Sequence, residues 1–247
     1  MTTVAAKLPQ SQMNNILLKF GRGNAKLAKE IYTFSLPAGW TCPGAHACLA
    51  RADRFSGKLT DGAEQSFRCF AASEEAAYPT VRLARWHNFD LLTGLDRHSA
   101  KELLLASLPA QASIVRIHVS GDFFSAAYFL AWCDVARERS TIKFYAYTKS
   151  IHFWKRQVDQ IPANLVLTAS EGGKFDPAIN GFKRAKVVYS QAEAAALDLE
   201  IDHDDRHAYE QADNFALLLH GGQAKGSVAA KALSALRAAG HQGYSRK

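Results

Sequence analysis

Along this chain short apolar runs alternate with amphipathic stretches, most regularly in the middle. Residues 31–36 (IYTFSL) mix β-branched and aromatic side chains with a partial period of two, which predicts a strand. The turn-rich loop PAGWTCPG follows over 37–44. Residues 51–68 are polar and glycine-bearing and read as a flexible insertion. The pattern then turns helical, with a longer helix starting near Pro79, where proline suits a first turn. Residues 96–108 predict a further helix, capped by Ser99 with Glu102 behind it.

From residue 113 the pattern becomes strictly alternating. Strands are predicted over 113–122, 142–150, 164–173 and 185–191, and helices over 125–138, 151–161 and 192–200. The first of these helices places Tyr128, Phe129, Trp132, Val135 and Ala136 on one apolar face, and Cys133 reads as a small core residue on it. Strand and helix in turn, joined by short links, predict βαβ units and a parallel sheet. Such sheets carry their chemistry at the carboxyl ends of the strands. Those ends read Ser120-Gly121-Asp122, Thr148-Lys149-Ser150 and Ser170-Glu171-Gly172. The last segment differs: an apolar run (NFALLLHG, 214–221), a glycine loop, an alanine-rich helix and a basic tail. No repeat or linker divides the chain, so 1–247 reads as one α/β domain with 1–15 a loose leader.

No run approaches the roughly 18–20 apolar residues of a membrane span. The first residues lack the charged-then-apolar order of a signal peptide. The expectation is a soluble, cytoplasmic protein that does not engage a membrane. Thirty Lys and Arg against 23 Asp and Glu give a net charge of +7, which suits a nucleic-acid partner through counterion release and equally suits solubility. The stretch KSIHFWKRQ (149–157) interleaves cations with aromatics, as single-strand binders do, although a helix burying Phe153 and Trp154 gives the same letters. The stretch HDDRH (203–207) reads as a solvated charged loop in preference to a metal site.

Three of the four cysteines, Cys42, Cys48 and Cys69, fall in one loop-rich segment, with five and then twenty residues between them. In a reducing compartment clustered cysteines bind metal or do redox work more often than they form disulfides. Three thiolates suit a four-iron cluster with one iron left open for an exogenous ligand. Zinc, with His46 or His87 as fourth ligand, stays open beside it. Asp122 suits either a charge-assisted bond to a ligand or a helix cap. His118 and Ser120, two apart on one strand, share a face, and His118 reads as a core histidine in preference to a ligand group.

Taken together, FSLPAGWTCPGAHAC, RCFAA, RIHVSGDFFSAAYFLAW, FYAYTKS, NLVLTASEGG and FALLLHGGQAKGS resemble the phage gene-product-88 family over about residues 15–230. That family is in turn distantly similar to radical S-adenosylmethionine enzymes. The resemblance implies a partial or complete TIM-like (β/α) barrel with three cysteines on the loop after the first strand. The spacing here, five then twenty, departs from the usual C-x3-C-x2-C of those enzymes. Position by position, the resemblance makes Cys42, Cys48 and Cys69 ligands of a [4Fe-4S] cluster. It makes Ser120, Gly121 and Asp122 the lining of an S-adenosylmethionine pocket, and Lys149 and Glu171, with Asp122, the catalytic candidates. The resulting expectation is an iron–sulfur enzyme of a phage or mobile element acting on a nucleic acid or nucleotide. Its rival is a non-catalytic nucleic-acid-binding protein with a structural metal.

Overall fold

The computed structural model describes residues 16–24, 26–210 and 213–241; the leader read over 1–15 lies outside them. Ten strands are present among these residues: β1 (Gly21–Arg22), β2 (Ile31–Ser35), β3 (Ala50–Ala52), β4 (Leu59–Asp61), β5 (Ile114–Ser120), β6 (Lys143–Thr148), β7 (Leu165–Ser170), β8 (Arg184–Val188), β9 (Glu200–Ile201) and β10 (Phe215–Leu218). Eight of them form one sheet in the order β1-β2-β5-β6-β7-β8-β10-β9, parallel throughout except for the β1–β2 pair. Strands β2, β5, β6, β7 and β8 lie side by side in sequence order, as helical crossovers favour. The α/β expectation therefore stands. Among the described residues a closed barrel does not form: β1 and β9 are the edges of an open sheet.

The period-two alternation sorts side chains onto two faces. Val115, Ile117, Phe144 and Ala146 face one layer, where α4 (Ala126–Glu138) buries Phe129, Trp132, Cys133, Val135 and Ala136 completely. Cys133 is the core residue its position predicts. This helix forms where Ser125 caps it, its hydroxyl accepting from the Tyr128 N–H at 3.2 Å. Tyr145, Ile31, Ala185 and Phe215 face the opposite side of the sheet. Before α4 come α1 (Phe70–Ala77), α2 (Pro79–Leu92) and α3 (Arg97–Ser107); after it come α5 (Ile151–Arg156), α6 (Gln191–Ala196), α7 (Arg206–Tyr209) and α8 (Val228–Ala238).

Three local expectations are corrected. The cap of α3 is Asp96, whose carboxylate accepts from the Ser99 N–H at 2.8 Å; an aspartate one turn earlier outcompetes the serine. Residues 51–68 include an ordered β3–β4 hairpin. Arg82 holds this hairpin by donating to the Arg54 carbonyl at 3.0 Å and the Phe55 carbonyl at 3.3 Å. The HDDRH stretch is only partly solvated: Asp205 is fully buried and His207 nearly so, while His203 and Arg206 are exposed. The cause is charge pairing across the sheet. Asp205 meets Arg116 at 2.6 Å and Lys26 at 2.5 Å, and Tyr145 and Tyr147 donate to it at 3.0 and 3.2 Å.

Candidate ligand pocket at the strand ends

The functional residues gather where β5, β6, β7, β8 and β10 end, as the parallel-sheet rule predicts. A pocket of about 170 Å3 opens there, with mostly apolar walls. Cys42, Cys48, Cys69, Ser120, Gly121, Asp122 and Lys149 all line it, although they come from three separate parts of the chain. Glu171 does not. Its carboxylate turns to Arg184 and Lys186, at 3.1 and 3.4 Å.

Close backbone approach brings the cysteine loop over the strand ends. A Cβ on Gly44 would lie 2.1 Å from the Lys149 carbonyl oxygen. The loop is pinned by the Ala47 N–H to Gly172 O bond at 2.9 Å and by Lys174 N–H to Gly44 O, also at 2.9 Å. Gly121 supplies the other contact. It holds φ +85°, and a Cβ there would sit 2.6 Å from Thr41 Oγ1 and 2.7 Å from Leu36 Cβ.

The polar residues expected to act on a ligand are largely engaged with one another. Asp122 accepts from Thr148 Oγ1 at 2.6 Å and from the N–H groups of Phe123 at 2.7 Å and Lys149 at 2.8 Å. It thereby ties the end of β5 to the end of β6, and capping α4 falls to Ser125. Burial raises the Asp122 carboxyl above its ordinary range, and the three donors work against that rise. Lys149 Nζ donates to Ser170 O at 2.9 Å, Ser170 Oγ at 2.7 Å and Glu171 O at 2.5 Å, which uses all three of its protons.

Two buried polar atoms of residues that line the pocket have no hydrogen-bond partner: Arg116 Nε and His118 Nδ1. Sequence reasoning passed over Arg116, because a lone cation inside a strand gives no signal without its distant partner Asp205. His118 was read as a core residue. It occupies φ +68°, where β-sheet regularity fails: Thr33 pairs with Arg116 but Ser35 pairs with Ser120, so three residues of β5 face Phe34 alone. The bulge brings His118 into the wall beside Ser120. There its Nε2 lies 3.0 Å from the Tyr128 hydroxyl, and burial lowers its pKa from 6.5 to about 3. His220, packed at a tilt against Phe70 with centroids 4.5 Å apart, is lowered to about 3 as well, chiefly by burial. Both rings are neutral at ordinary pH.

The metal reading is overturned. The three cysteines share the pocket, yet among the described residues no group of three or more His, Cys, Asp and Glu side chains is arranged to hold a metal ion. Burial pushes the Cys42 thiol well up, with Asp122 adding to the rise, and pushes Cys69 up to about 11. His46, offered as a fourth ligand, is half-exposed and lies 3.5 Å from Glu64; His87 bonds the Leu17 carbonyl at 3.0 Å. The cluster-based enzyme and the metal-bearing nucleic-acid binder both fall with the metal. The cation–aromatic stretch 149–157 also has an internal use: Trp154 stacks on Phe182 at 4.2 Å and His152 packs on Phe175 at 4.2 Å.

No helix among the described residues is long and apolar enough to cross a membrane. No solved structure matches this chain. Two phage proteins do. The Gene 88 protein of Mycobacterium phage D29 is 29% identical over 142 residues, covering 53% of this chain and 51% of that protein. The Gene 88 protein of Mycobacterium phage L5 is 28% identical over 161 residues, covering 58% and 59%. This chain thus spans little more than half the length of these relatives. The family pattern called Gene product 88 matches residues 16–240, from before β1 to the end of α8, so the chain belongs to the Gene product 88 family.

Proposed function

We propose that this protein binds a compact small molecule in the pocket at the carboxyl ends of β5 to β10. The observation that carries the reading is the convergence itself. Five strand ends and the cysteine loop, distant in sequence, enclose one small apolar space with a few polar atoms set in its wall. A 150 Å3 apolar cavity takes up benzene, so about 170 Å3 has room for one substituted ring.

Asp122 and Lys149 serve this pocket as positioning residues, because their polar atoms already hold its wall together. The test is a ring-sized fragment screen by ligand-observed NMR on wild type and on Val119→Trp, which places an indole into the pocket wall. Fragments that bind wild type and fail on the variant support the reading. A screen in which every hit binds both proteins equally overturns it.

A further inference from the structure

We propose that the face built by the β3–β4 hairpin and α2 binds the unpaired bases of a single-stranded nucleic acid. This site is separate from the pocket reading and does not depend on it: none of its side chains lines the pocket.

Five side chains form one connected row. The Arg54 guanidinium lies over the Phe55 ring at 5.8 Å and over the Trp86 ring at 4.8 Å. Trp86 meets Trp40 with ring centroids 5.8 Å apart, and the Arg51 guanidinium lies over Trp40 at 5.1 Å. The row joins the loop after β2, the hairpin and α2. Much of it faces water: Phe55 is 85% exposed, Trp40 47%, and Arg51 is exposed as well. Leu83, also exposed, stands one helical turn before Trp86 on α2 and widens the apolar area.

The row is held in place by the protein itself. The Asp53 carboxylate accepts from the N–H groups of Phe55 at 3.1 Å and Ser56 at 2.7 Å, and Arg82 grips the Arg54 and Phe55 carbonyls from α2. Trp40 Nε1 donates to the Ala52 carbonyl at 2.9 Å. Large rings held in water by an ordered turn mark an interaction site.

Charge selects the partner. In the hairpin Ala50 and Ala52 point inward, while Arg51 and Lys58 share the outward, exposed face. Of the carboxylates on these segments, Asp53 serves the turn, Asp61 pairs with Arg68 at 2.5 Å and Asp90 with Arg54 at 2.5 Å. Arg51 and Lys58 thus remain as exposed cations that meet no carboxylate among the described residues, on a chain of net charge +7. Cations open to phosphate beside exposed rings are the means by which single strands are held, each ring stacking on a base. A duplex keeps its base faces stacked inside and offers none to these rings.

The test is fluorescence anisotropy of a labelled oligothymidylate of about 12 nucleotides. It is titrated at several salt concentrations into wild type, Phe55→Ala, Trp40→Ala with Phe55→Ala, Phe55→Trp and Lys58→Gln, each checked for folding by circular dichroism. Wild type is expected to bind saturably. Phe55→Ala is expected to weaken binding about fivefold or more and the double variant about thirtyfold or more, while Phe55→Trp keeps it. Lys58→Gln is expected to reduce the salt slope by about 0.7. A duplex of the same length is expected to bind at least about tenfold more weakly. Should the double variant fail to fold, the contrast between Phe55→Ala and Phe55→Trp carries the test. Equal affinity of wild type and Phe55→Ala, a duplex bound as tightly as the single strand, or no binding at low salt overturns the proposal. So does light scattering that finds wild type dimeric and Phe55→Ala monomeric, which would assign the face to a second copy of this chain.

Discussion

The buried histidine of the β5 bulge makes the stability of this protein depend on acid in a calculable way. His118 has an ordinary pKa of 6.5 and a folded value of about 3, set by burial and by the neighbouring Arg116 charge. The unfolded chain therefore takes up a proton near pH 6.5 that the folded chain refuses until about pH 3. Stability is fully present above the unfolded value and is lost as pH falls through the window between the two. At about pH 5 the unfolded state is favoured by roughly 1.5 pKa units of protonation, or about 2 kcal/mol. Asparagine tolerates the left-handed backbone at this position and does not titrate. Urea unfolding of wild type and His118→Asn at about pH 7.5 and about pH 5 measures the effect. Other titrating groups, including Asp205 with its carboxyl held at about 2 by Arg116 and Lys26 against burial, act in both proteins and cancel in the difference. The variant is expected to lose about 2 kcal/mol less than wild type over that interval. Equal losses in the two proteins would show that His118 is hydrated or charged in the folded state, and the argument from burial would be wrong.

Further expectations follow from single contacts. Gly121→Ala, at φ +85° with its new methyl against Thr41 and Leu36, is expected to cost more than about 1 kcal/mol in urea unfolding and to loosen ligand binding at the strand ends. Arg85→Met leaves the fully buried Glu75 carboxylate without its 2.9 Å ion pair and is expected to cost about 3–5 kcal/mol, much of it regained in the double variant with Glu75→Gln. With its pKa raised from 9.0 to about 11, Cys69 is expected to react with iodoacetamide at about pH 8 some hundredfold more slowly in the folded protein than after unfolding, by site-resolved mass spectrometry. A rate equal to that of the unfolded chain would place a thiolate where the structure has a neutral thiol.

The sequence by itself determined the layered architecture, because its signals are local. Alternating Phe144, Tyr145, Ala146 and Tyr147 fix a strand with two buried faces, and the 3.6-residue spacing of Phe129, Trp132 and Ala136 fixes the helix laid on one of them. It also placed Ser120, Gly121, Asp122 and Lys149 at strand ends, where they line the pocket with the cysteines. Only the tertiary structure decided what those residues do. Whether three cysteines form a metal site depends on their arrangement in space, and the resemblance to cluster-binding enzymes could not supply it. Whether Asp122 and Lys149 are free to act depends on Thr148 and Ser170, which their own positions do not announce. Within HDDRH, Asp205 is buried because Arg116, 89 residues away in sequence, pairs with it. Burial, pairing and pKa arise from distances between segments remote in sequence, and periodicity along the chain carries no record of those distances.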